Sequence, residues 1–99
     1  MRMMLRATFD VEAANLAIND GSVAAVFDKV FAVCPPEATY FTTEDGKRAL
    51  YAFIDLKSVE QMPMITEPMF QAFGASVDLK PVMTPDDLAK GLSAYAASK

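Results

Sequence analysis

Two tyrosines, one arginine and one glutamate are the residues whose types and setting could support chemistry. Tyr40 and Tyr51 flank Asp45-Gly46 and fall opposite each other if that turn has two residues. With Phe53 they would line a pocket for a flat or aromatic ligand, or else form a packing pair worth about 0.2–1 kcal/mol to a sheet. Arg6 lies on the less apolar side of an alternating segment. A guanidinium there needs an anion, either a substrate carboxylate or Asp78 on a neighbouring strand. Arg48, beside the turn, reads as a solvated residue. Glu67 precedes Pro68 in a segment broken by two prolines. Buried at a pocket mouth its carboxyl would be pushed up and could act as a general base; in solvent it would be a surface charge.

Three other features carry a bland reading beside the chemical one. Asp20-Gly21-Ser22 has the form of an anion-binding nest but is equally a turn followed by a helix cap. Met62, Met64, Met69 and Met83 offer soft thioethers of the kind that suit Cu(I), or flexible filling for a core. Cys34 has no basic neighbour in sequence, so it reads as a buried structural thiol rather than an activated thiolate.

The composition excludes more than it specifies. The 99 residues contain no His, no Trp and a single Cys, with 53% apolar residues, 22% charged residues and a formal charge of −4. Imidazole acid/base work, His-ligated zinc or haem iron, Cys–His nucleophiles, CxxC pairs and internal disulfides are all removed, and no cofactor is expected. An acidic chain lacks the basic face that nucleic-acid binding needs. No stretch approaches the ~18 uncharged apolar residues of a membrane span. Arg6 interrupts any signal-peptide apolar run, and a lone thiol suits a reducing compartment. The expectation is a cytoplasmic single domain, residues 1–99.

The elements that would position these residues follow from periodicity. Met3, Leu5, Ala7 and Phe9 alternate with Met4, Arg6 and Thr8, which is strand spacing. Val11–Ile18 is helix-prone; Asn19-Asp20-Gly21 stops it, and Ser22 can cap a second run. There Val23, Val26, Phe27, Val30 and Phe31 recur every three or four residues until Pro35-Pro36. Segments 38–43 and 47–55 are strand formers around Asp45-Gly46, the dipeptide favoured in two-residue type I′ hairpins. That register pairs Glu44 with Lys47, Phe41 with Leu50, Tyr40 with Tyr51 and Ala38 with Phe53. It places Ala38, Tyr40, Thr42, Ala49, Tyr51 and Phe53 on one face. Ser58 and Gln61 form a capping-box pattern opening a helical region, 59–73, which Pro63 and Pro68 should split or kink. Residues 76–83 read as a fourth strand, confined to an edge by its proline. Thr84-Pro85-Asp86-Asp87 is a strong helix start, with Leu88, Leu92 and Tyr95 as its apolar stripe.

The order β-α-β-β-α-β-α predicts an α+β fold: a ferredoxin-like βαββαβ unit with an added C-terminal helix and a four-stranded antiparallel sheet. Helices would cover one sheet face only, and the unbroken run 49–54 leaves the other apolar as well. Such a patch on a monomer is unusual, so a homodimer packed sheet to sheet, a dimeric α+β barrel, is expected. A shift of one residue in the hairpin would exchange its faces.

The segments Asp20-Gly21-Ser22, Pro36-Glu37-Ala38-Thr39-Tyr40-Phe41, Gly46-Lys47-Arg48, Asp55-Leu56-Lys57, Glu67-Pro68 and Pro81-Val82-Met83 resemble a family of short uncharacterised bacterial proteins across nearly the whole chain. The topology is also similar to the dimeric α+β barrel superfamily, which includes muconolactone isomerases, antibiotic-biosynthesis-type monooxygenases and haem-handling proteins. The haem branch relies on a histidine, which this chain lacks. Two functions are therefore weighed. One is a non-catalytic dimer binding a small apolar or aromatic metabolite through Arg6, Tyr40, Tyr51 and Phe53, or serving as an interaction module. The other is a cofactor-independent isomerase- or monooxygenase-like enzyme on a small organic acid, with Arg6 and Tyr51 orienting substrate and Glu67 moving a proton. A subunit that pairs with a different protein through the sheet is a third.

Overall fold

Strand β1 (Arg2–Thr8) lies in the middle of the sheet because its alternation gives it one fully apolar side: Met3, Leu5 and Ala7 are buried while Met4, Arg6 and Thr8 are only half-buried. The structure, a computed structural model, describes all residues 1–99. The chain continues through α1 (Val11–Asp20), α2 (Val23–Val33), β2 (Pro36–Glu44), β3 (Lys47–Asp55), α3 (Gln61–Phe73), β4 (Ser76–Pro81) and α4 (Pro85–Ala97). It is an α+β protein with one four-stranded antiparallel sheet in the order β2-β3-β1-β4. This order is compatible with the split-βαβ arrangement, the first crossover here being two helices.

The hairpin has the register that its turn residues dictate. Glu44 pairs with Lys47, Phe41 with Leu50, Tyr40 with Tyr51 and Ala38 with Phe53. Asp45 and Gly46 both take positive φ, 52° and 76°, as a type I′ turn demands. Helices α1, α2 and α3 cover one face. Between them and the sheet lies the core, in which Leu5, Val30, Leu50, Ile54, Ile65, Met69 and Phe73 are the largest fully buried side chains.

Three local expectations are corrected. Ser22 does not cap α2 with its side chain; its hydroxyl turns back to the Ala17 carbonyl while its amide donates to Asp20. Nor does Ser58 form a capping box with Gln61. Its Oγ accepts from the Glu60 amide, and Gln61 Oε1 instead accepts from the Lys57 amide at 2.9 Å. Finally, the prolines do not split α3, which runs as one helix from Gln61 to Phe73. Pro63 sits in its first turn, where the amide would have no helical partner anyway. Pro68 deprives the Met64 carbonyl of its bond, but Met64 is exposed, so water can replace the lost donor.

Helix α4 stands apart. Its start carries the expected capping box, Thr84 Oγ1 accepting from the Asp87 amide and Asp87 Oδ2 from the Thr84 amide, yet none of its residues is buried. The radius of gyration is 16.1 Å and the long axis 57 Å, against about 13 Å for a compact chain of this length.

Candidate functional site

The helix-free face of the sheet gathers Arg6, Tyr40, Tyr51 and Phe53; Glu67, Arg48 and Cys34 lie elsewhere. Arg6 on central β1 is cross-strand from Tyr51 on one side and Asp78 on the other. Its Nε donates to the Tyr51 hydroxyl at 3.3 Å and its Nη1 to Asp78 Oδ2 at 3.1 Å. Its Nη2 is paired with Glu44 Oε2, and the Tyr51 hydroxyl donates to Glu44 Oε1. The Glu44 carboxyl is held below its ordinary range by the Tyr51 hydrogen bond and then by Arg6. The Arg6 guanidinium is raised by Glu44 first and Tyr51 second. One guanidinium against two carboxylates leaves this cluster net negative. Tyr40, 64% exposed, lies beside Tyr51, and half-buried Phe53 and Met4 occupy the next row. The result is a flat aromatic platform with a polar edge, suited to stacking on a planar molecule.

Glu44 was missed in the sequence, although alternation from Tyr40 through Thr42 puts it on the tyrosine face. Its pairing opposite Lys47 in the hairpin concealed that it would turn toward Arg6. Glu67 is not brought to this cluster. It is exposed on α3, in the outer helix layer, beside Lys29, Met64 and Gln71, with the sheet between it and Arg6. The methionines are likewise dispersed: Met69 is in the core, Met64 and Met83 in solvent. Cys34 is buried with Sγ 3.4 Å from Gln61 Oε1, and burial pushes its thiol up, which suits an inert structural cysteine.

A second concavity lies on the opposite face. Between α1, α2 and the hairpin is a cavity of about 350 Å³, eight of whose ten lining residues are apolar. Phe27 is its hub, with ring centroids 6.0 Å from Phe9, 5.6 Å from Phe41 and 5.4 Å from Phe73. Arg48 lies at its edge and donates to Asn15 Oδ1 of α1 at 2.8 Å. Sequence spacing could not reveal this site, because its aromatics come from four separate segments.

No helix is long and apolar enough to cross a membrane. The chain matches no protein-family model, and no curated protein matches it.

Proposed function

We propose that this chain is a ferredoxin-like homodimer, paired sheet to sheet as an α+β barrel, that binds a small flat organic molecule against Tyr40, Tyr51 and Phe53. The observation that carries the reading is the coexistence of two unpartnered surfaces in one chain, an aromatic platform beside a charged cluster and an apolar helix stripe. The sheet face exposes Tyr40, and α4 presents Leu88, Leu92 and Tyr95 on one side at 46, 57 and 61% exposure. A lone helix of about 12–15 residues is marginal in water, and α4 has 13 with none of them buried. A second copy would cover both surfaces symmetrically, α4 acting as an arm along its neighbour.

The charge balance selects the ligand. Arg6 is already offset by Glu44 and Asp78, so its guanidinium is not free to hold the carboxylate of an organic acid, and a neutral planar molecule suits the tyrosine platform beside it. The same balance weighs against the acid-directed isomerase or monooxygenase reading, as does the distance of Glu67 from the platform. Native mass spectrometry of gently purified protein tests the proposal. The expected result is a mass of two chains with a reproducible small neutral adduct. A bare dimer would retain the pairing and remove the ligand, and a clean monomer would overturn the dimer.

A further inference from the structure

We propose that the cavity between α1, α2 and the hairpin is a separate binding site for a small monocarboxylate with an apolar aryl or alkyl body, its carboxylate held by Arg48. The volume, about 350 Å³, lies within the range of small-molecule pockets, which are largely apolar with a few placed polar groups. The wall is formed by rings packed mainly edge to face around Phe27, and it remains partly wet: Phe41 is 63% and Ile18 48% exposed. An apolar body entering there would cover surface that the fold leaves open.

The charge at the mouth sets the headgroup. The chain has three arginines. Arg2 makes a two-pronged pair with Glu37 at 2.9 and 3.0 Å, and Arg6 faces Glu44 and Asp78. Arg48 alone has no carboxylate within 4.0 Å. Its one side-chain acceptor is the Asn15 amide oxygen, which fixes the planar fork yet neither neutralises its charge nor occupies its five donors. A carboxylate matches that fork with two parallel hydrogen bonds. One cation beside an apolar wall suits a single negative charge on an apolar body; a multiply charged phosphate would find no second cation in the lining. The site uses neither Tyr40, Tyr51 nor Phe53, so it stands independently of the dimer and its ligand.

Phenylbutanoate and the neutral phenylbutanamide, titrated into the full chain and followed by backbone amide NMR shifts, test this. The acid should bind at least about tenfold more tightly than the amide, the usual return on a charge-assisted pair, with shifts centred on Phe27, Phe41 and Phe73. Arg48→Gln, a change at an exposed residue, should abolish that preference. Arg2→Gln, which removes the same charge elsewhere, should leave it intact. Equal binding of acid and amide, or no saturable binding of either, would overturn the site. So would shifts centred on Tyr40, Tyr51 and Phe53, which would instead favour the sheet-face reading. A monomer that still binds the acid through Arg48 would separate the two proposals cleanly.

Discussion

Tyr40 and Phe41 are neighbours in the chain and face opposite ways, and the two surfaces they enter are built on different principles. On the tyrosine face the polar groups are mutually satisfied: Arg6 has two carboxylates and Tyr51 donates to Glu44. On the phenylalanine face the apolar groups form a connected ring cluster, while the nearest charge, Arg48, has only a neutral partner. One arginine is consumed by the fold and the other is left over. A charged residue flanking a concavity is thus informative through its partners as much as its position.

The largest expected effect tests the phenylalanine face as part of the core. Phe73 is 2% exposed and packs edge to face on Phe9 at 5.1 Å. Phe73→Ala should cost about 3–5 kcal/mol in urea unfolding. Tyr40→Ala, at an exposed sheet position, should cost within about 1 kcal/mol under the same conditions. Similar losses from the two variants would break the contrast between a packed face and an open one.

The next effect lies in acid and belongs to the partnered charges. Glu44 and Glu37 are held below their ordinary values, Glu44 by Tyr51 then Arg6 and Glu37 by Arg2. Asp55 is lowered to about 2 by Lys57 and the terminal amine. A carboxyl lowered on folding contributes stability above its unfolded value and loses it as pH falls through the folded one. The thermal midpoint should therefore stay level from about pH 8 to 5, where no histidine titrates, and fall between about pH 4 and 2. Glu44→Gln should lower the midpoint at neutral pH and flatten part of the acid slope. If the slope is unchanged, the Arg6–Glu44 pair is not a stabilising part of the sheet face.

Legibility from sequence followed the same divide. The strands and the Asp45-Gly46 register were readable because alternation and turn chemistry are local; which side of the sheet the tyrosines take was not, because that depends on where the helices pack. The continuity of α3 was not, because a proline's cost depends on where it falls in the helix and on whether the freed carbonyl meets solvent. Arg6 opposite Asp78 was accessible from strand order; Glu44 joined them through a side-chain direction that pairing alone does not give. The cavity at Phe27 was hidden, since Phe9, Phe27, Phe41 and Phe73 converge only once four elements have packed. Arg48 read as solvated, and its exposure agrees; its significance comes from the carboxylates that approach Arg2 and Arg6 but not it.

The smallest expected effect on the fold sharpens the comparison further. Leu92 on α4 is 57% exposed and the helix buries none of its residues, so Leu92→Ser should change the unfolding free energy of the isolated chain by about 0.5 kcal/mol or less. If α4 is an arm on a second copy, the same substitution removes an apolar contact from the interface, and sedimentation should show the dimer dissociating at lower dilution than wild type. The two measurements separate intrachain packing from pairing. A large stability loss with the monomer–dimer balance unchanged would mean that α4 packs on its own chain. A shift in that balance at constant chain stability would place α4 with the sheet face, as a surface completed only by another molecule.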